Sequence, residues 1–164
     1  MEPIRAIIEI PRGSQNKYEL DHETGAIMLD RHLRVSMSYP AEYGFIPDTL
    51  AGDGDPLDVV VLTEFPTFPG CHVMVKVLGV CLMTDEAGED AKLIAVPLSD
   101  PRWKDVSDIS EVPTDTLERI RHFFEVYKDL DAGKWVKIEC YEGREKALAE
   151  LESCRQRYQA SLAH

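Results

Sequence analysis

Three runs decide the architecture: Leu57-Asp58-Val59-Val60-Val61-Leu62, the longer Cys71-His72-Val73-Met74-Val75-Lys76-Val77-Leu78-Gly79-Val80-Cys81-Leu82-Met83, and Ala91-Lys92-Leu93-Ile94-Ala95-Val96. Each is rich in strand formers and bounded by turn formers, with Pro66, Pro69 and Gly70 before the second and Gly88 before the third. Upstream, Ile4 to Ile10 is a similar run stopped by Pro11 and Gly13. Lys17 to Leu20 alternates before the hairpin turn Asp21-His22-Glu23-Thr24-Gly25. Short strands at such frequent spacing point to a small closed or nearly closed β-barrel.

Two helical patterns follow. Asp115 with Glu118, just after Pro113, predicts a capping box. The helix it opens keeps Leu117, Ile120, Phe123 or Phe124, and Tyr127 on one face until Gly133. Trp135 to Tyr141 returns to strand character. Arg144 to about Ala163 predicts a second helix, with Ala147, Leu148, Leu151, Cys154, Tyr158 and Leu162 on one stripe and a solvated Arg, Gln and Glu face opposite. The class is α+β, and at 164 residues the whole of 1–164 reads as a single domain.

Charge excludes several functions. With 18 Lys+Arg against 30 Asp+Glu the net charge is −12, so a general affinity for nucleic acid is not expected. No apolar run approaches the ~18 residues of a membrane-crossing helix. The start, Met1-Glu2-Pro3-Ile4-Arg5, lacks the basic region and apolar stretch of a signal peptide, so the expected location is the cytoplasm, with no membrane partner. Cys71, Cys81, Cys140 and Cys154 show no metal-type spacing and are expected to be reduced and buried.

The chemistry concentrates in Asp53-Gly54-Asp55-Pro56-Leu57-Asp58. Carboxylates so close repel one another unless cations sit between them, and oxygen donors of this kind suit hard divalent ions. A calcium-binding EF-hand is excluded: its sixth position needs Gly and holds Asp58, and a strand follows rather than a helix. A second cluster, Asp85-Glu86-Ala87-Gly88-Glu89-Asp90, lies between two predicted strands, and Glu9 ends the first strand. All could open on one rim. Cations accompany the acids: Lys17 shares a strand face with Glu19, Lys92 shares one with Asp90, and Arg31 follows Asp30. Tyr39 and Tyr43 in Tyr39-Pro40-Ala41-Glu42-Tyr43-Gly44-Phe45-Ile46, and the pair Tyr127-Lys128, add donors suited to phosphate oxygens. Singly, each of these reads as solvated surface or core. Together with the acids they suggest a metal–phosphate site.

On these residues the chain resembles a bacterial-type family I soluble inorganic pyrophosphatase. The strongest match is Asp53-Gly54-Asp55-Pro56-Leu57-Asp58 to the family's Asp-(Gly/Ser)-Asp-Pro-x-Asp signature. Supporting matches are Glu9-Ile10-Pro11, Lys17-Tyr18-Glu19, Asp30-Arg31, the Tyr39–Ile46 stretch, the second acidic cluster through Lys92, and His122 to Leu130 followed by Gly133-Lys134-Trp135. At Val126 the chain departs from relatives that often carry a polar residue. The resemblance implies an OB-like five-stranded barrel flanked by two helices, and hydrolysis of pyrophosphate, taken as its magnesium complex, by direct attack of a metal-activated water. It implies metal ligands Glu9, Asp53, Asp58, Asp85 and Asp90 for several Mg2+ ions, with Mn2+ or Zn2+ as substitutes. It gives Lys17, Arg31, Tyr43, Lys92, Tyr127 and Lys128 to phosphate, and makes Glu19 and Tyr39 supporting residues. Asp55 becomes the proton acceptor, with Asp90 as the alternative. It further implies a homohexamer.

Two other classes are weighed against this. A non-catalytic OB-like binding module should carry a basic, aromatic groove, which −12 opposes. A divalent-cation-binding protein would use the acids without the phosphate-binding cations beside them. His22, His32, His72, His122 and His164 lack ligand spacing and are assigned to turns, surface or packing, with a metal or subunit contact as the alternative for His22.

Overall fold

The computed structural model of the chain describes residues 2–163; His164, one of the histidines read above, lies outside them. In β1 (Ile4–Ile10) the side chains of Ile4, Ala6, Ile8 and Ile10 are buried, the period-2 alternation of a strand with one face in the core. The remaining strands are β2 (Asn16–Leu20), β3 (Ile27–His32), β4 (Glu42–Ile46), β5 (Leu57–Val61), β6 (His72–Asp85), β7 (Gly88–Pro97) and β8 (Val136–Gly143). The long β6 pairs with β7 along one edge and with β1 on the other, which closes the ring β1-β4-β5-β7-β6. This is the five-stranded OB-like barrel that the resemblance implies. Within it β5 and β7 run parallel, and the other neighbours are antiparallel. β8 extends the sheet along the second half of β6, and β2 with β3 forms a separate hairpin.

β4 is a strand that the sequence does not announce, because Pro40 and Gly44 interrupt its run of strand formers. Gly44 is needed there. A Cβ on it would sit 1.9 Å from the carbonyl oxygen of Ile7, so only glycine lets β1 and β4 approach closely enough to pair.

The helices are α1 (Thr114–Val126) and α2 (Arg144–Leu162). The expected capping box does not form. Pro113, extended at φ −52 and ψ 133, precedes the first helical residue, and no side chain caps the end. Asp115 instead lies inside the first turn, where its charge faces the positive end of the helix. α1 also stops at Val126 rather than running to Gly133, because the chain tightens into successive three-residue turns: Asp129 N–H donates to Val126 O and Asp131 N–H to Lys128 O. On α2, Ala147, Leu151 and Cys154 are buried, but Leu162 at the end of the expected stripe is exposed.

Two apolar clusters hold the barrel between the helices. One joins Ile8, Leu57, Val59, Val75, Val80 and Leu93 to Ala147, Leu151 and Cys154 of α2; the other joins Val60, Leu78, Ile94 and Val96 to Ile120, Phe123 and Phe124 of α1. All four cysteines are free thiols, as expected, but only Cys81 and Cys154 are buried; Cys71, just before β6, and Cys140, in β8, are partly exposed. Among the described residues, no helix is long and apolar enough to cross a membrane.

Candidate active site

Neighbouring barrel strands build the centre of the site. The parallel register sets Asp58 of β5 beside Lys92 of β7, and Asp90, two residues earlier on β7, shares the face of Lys92. Lys92 Nζ lies 3.0 Å from Asp58 Oδ2 and 3.1 Å from Asp90 Oδ2, and it donates to Tyr43 Oη of β4 at 2.5 Å. The same ammonium stands 4.9 Å and 5.3 Å from the ring centroids of Tyr43 and Phe124. Burial works against its charge, but Asp58, Tyr43 and Asp90 outweigh burial and hold its pKa well above that of an ordinary lysine. The Tyr43 hydroxyl is pushed well up, by burial first and Asp58 second. Asp90 is raised despite touching Lys92, because burial outweighs that cation and Asp58 adds to the rise.

Glu9 reaches the same basin through a break in the ladder. β1 slips against β4 between Ile8 and Ile10, so Glu9 is the extra residue of a bulge, a device that re-aims a side chain. Its carboxylate accepts the Leu20 N–H at 2.8 Å, and burial, opposed by that hydrogen bond, raises its pKa to about 7. A second slip, in β2–β3, makes Asp30 the extra residue, and Lys17 Nζ meets it at 2.9 Å.

The loop between β4 and β5 supplies Asp53 and Asp55. Gly54 takes φ +91, which only glycine adopts without strain, and its N–H donates to Ala51 O at 3.1 Å. Asp55 N–H donates to Asp53 Oδ1 at 3.0 Å. The Asp55 side chain is exposed, yet partial desolvation and then Asp53 raise its pKa. Among the described residues, no cation pairs with its carboxylate. Lys128 Nζ stands 3.6 Å from Asp85 Oδ2 and 3.4 Å from Glu86 Oε1, while Arg31 Nη1 meets Asp131 Oδ2 at 3.0 Å.

One concavity of about 260 Å³ gathers these groups. Its wall includes Glu9, Lys17, Glu19, Arg31, Tyr43, Asp53, Asp55, Asp58, Asp85, Asp90, Lys92, Tyr127 and Lys128, so thirteen side chains singled out from sequence meet there. Tyr39 is the exception. It is 2% exposed behind the wall, its ring centroid 5.7 Å from Tyr43 and 4.6 Å from Phe123. Sequence reading gave no role to Lys134, which also lines the basin, or to Asp131, which holds Arg31. Their signal was position alone, in the turns that follow Tyr127-Lys128. His22, read as a turn residue, lies on the same wall with its ring edge-on to Phe45 at 5.2 Å.

The donor set suits hard cations, being all carboxylate. Among the described residues, however, no three acid, histidine or cysteine side chains are drawn together tightly enough to chelate one ion. The acids therefore converge on one basin without forming a finished cage. Between Asp58 and Asp90 stands the ammonium of Lys92, a positive charge where the acids require one.

An OB-like barrel whose acidic basin is ringed by lysine, arginine and tyrosine defines a class of proteins built to handle highly charged anions together with cations. The family model for inorganic pyrophosphatase matches residues 6–159. The chain is 54% identical over 155 residues to the inorganic pyrophosphatase of Halalkalibacterium halodurans, covering 94% of each, and 56% identical over 133 residues to that of Leifsonia xyli, covering 81% and 82%. Among solved structures, the inorganic pyrophosphatase of Thermus thermophilus superposes with a TM-score of 0.94 at 51% identity, over 96% of this chain and 92% of that one. The Helicobacter pylori enzyme gives 0.94 at 46% identity, over 96% and 94%. The chain belongs to the inorganic pyrophosphatase family.

Proposed function

We propose that the chain hydrolyses inorganic pyrophosphate to two orthophosphates by direct attack of water. The observation that carries this reading is the interleaving at the basin's centre: Lys92 and Lys128, cations able to grip phosphate, already face it from beside Asp58, Asp90 and Asp85, carboxylates able to hold a metal. Asp53, Asp58 and Asp90, with Asp85 and Glu9, would hold several magnesium ions, for which manganese or zinc can substitute. Bound there, such ions screen the substrate's charge, favour its entry as the magnesium complex and make the attacking water more acidic.

The chain's own residues do the rest. Lys17, Arg31, Lys92 and Lys128 are held toward the basin by Asp30, Asp131, Asp58 with Asp90, and Asp85 with Glu86, and phosphate oxygens take over from those partners. Tyr43 and Tyr127 donate hydroxyl hydrogen bonds to the same oxygens, where transition-state charge gathers. Tyr39 supports Tyr43 by packing behind it, and Glu19 lies beside Lys17. Asp55 accepts the proton of the attacking water on its carboxylate, because it is free of cations while Asp90 is engaged by Lys92.

We extend the proposal to one domain, to cytoplasmic residence, which the four free cysteines support, and to a homohexamer. Phe65, 74% exposed, and Phe68, 62% exposed, supply apolar surface that another copy would cover. Sedimentation velocity tests the assembly. Activity is tested by phosphate release from pyrophosphate with magnesium, with ATP as comparison. Turnover of pyrophosphate that EDTA abolishes, with little cleavage of ATP, is the expected result; absence of phosphate release under any divalent ion would overturn the reading.

A further inference from the structure

The loop that carries Asp53 and Asp55 runs through Gly52 and Gly54, and its acids repel one another, so something outside the basin must fix its path. Thr49 is 2% exposed. Its hydroxyl donates to the carbonyl of Ile46, the last residue of β4, at 2.5 Å and accepts the N–H of Leu57, the first residue of β5, at 2.9 Å. One buried side chain therefore joins both ends of the loop. From α2, the carbonyl of Cys154 accepts the Leu50 N–H at 3.0 Å, and Arg157 Nη1 donates to Leu50 O at 2.8 Å. Both polar backbone groups of one loop residue are thus held by a helix that contributes nothing to the basin wall. The next residue passes the grip on: Ala51 N–H donates to Asp55 O at 2.7 Å.

We propose that Thr49 and Arg157 are positioning residues for metal capture, holding Asp53 in place relative to Asp58 without touching metal or substrate. The inference rests on the ligand assignment made above for Asp53 and Asp58. A loop released from these anchors must be ordered each time an ion binds, which weakens binding. Once the ions are bound the same ligands surround them, so turnover at saturating metal is preserved. Arg157, placed by sequence on a solvated helix face, gains a role from its contact with Leu50.

The test compares the wild-type protein with Thr49→Val, Thr49→Ser, and Arg157→Ala. Two quantities are read: the magnesium concentration for half-maximal pyrophosphate turnover, and magnesium affinity by calorimetry without substrate. Partners that orient metal ligands typically contribute about 10- to 100-fold in affinity. Thr49→Val should weaken both quantities about tenfold and Arg157→Ala, whose contact is exposed, about threefold, with kcat at saturating magnesium within about twofold of wild type. Thr49→Ser keeps the hydroxyl and should return to wild type. Unchanged magnesium affinity in folded Thr49→Val, or a Thr49→Ser protein as weak as Thr49→Val, overturns the proposal. If Thr49→Val does not fold, Arg157→Ala decides, and unchanged affinity there overturns it equally. A wild-type protein without pyrophosphate turnover would sink the functional reading instead, while the calorimetric comparison would still judge this one.

Discussion

Replacing Lys92 by methionine keeps the stem and removes the charge. The variant leaves Asp58 and Asp90 facing each other with no ammonium between them, and Tyr43 Oη without its 2.5 Å partner. Removing one partner of a fully buried ion pair costs about 3–5 kcal/mol. Here the Asp58 and Asp90 side chains keep 28% and 14% of their exposure, so water relieves part of the repulsion. A loss of about 3 kcal/mol in the metal-free protein is expected. The assay is urea unfolding at one fixed protein concentration, because assembly shifts apparent stability, run with EDTA and with excess magnesium. Magnesium should restore about half of the loss in Lys92→Met and stabilise the wild type by less, since in the variant the cation relieves an unscreened pair of acids. Turnover should fall by about 100-fold or more, as a donor to the transition state is gone. A loss below about 1 kcal/mol with EDTA, or an equal magnesium increment in both proteins, would refute the view of Lys92 as the internal counter-ion of the basin.

Asp58→Asn should weaken magnesium binding and turnover together, whereas Asp55→Asn should lower turnover with magnesium affinity largely kept; full activity of Asp55→Asn across neutral pH would remove Asp55 as the proton acceptor. Gly44→Ala should yield insoluble protein or one destabilised by at least about 3 kcal/mol, read by thermal unfolding, because its methyl would meet the Ile7 carbonyl at 1.9 Å. Asp108 accepts the Arg144 N–H at 2.9 Å and the Ser110 N–H at 3.0 Å, and these bonds, Arg144 first, lower its pKa. Asp108→Ala should cost about 1 kcal/mol near neutral pH. Since the folded-state pKa lies below the unfolded one, that stabilisation is present above about pH 4 and lost as the pH falls through the folded value, so the two unfolding midpoints should converge in acid.

Sequence carried the barrel because runs such as Leu57–Leu62 and Ala91–Val96 are mostly apolar, include β-branched residues and are cleanly bounded. It missed β4 because closeness between strands, not propensity, puts Gly44 there. The far end of α1 is hidden for a related reason: Tyr127 continues the apolar spacing, and the turns that stop the helix leave no mark in hydrophobic pattern. The acids and cations of the basin were legible as types, since a strand face carries residues two apart, as in Asp90 and Lys92. What could not be read was their pairing. Asp131 lies a hundred positions from Arg31, and nothing local tells that they touch. Arg157 reads as a solvated residue because a guanidinium that grips a distant backbone carbonyl resembles, in sequence, one that grips water.

The parallel seam between β5 and β7 has a consequence for how the molecule is born. A tight hairpin cannot join parallel strands, so the chain must lay down all of β6 before Asp58 and Lys92 can become neighbours. Closing such distant contacts is slow, and the ring is complete only when β1 has also met β6. A partly made or partly folded chain therefore lacks the centre of its basin, and any turnover it gains marks the moment at which the topology is finished.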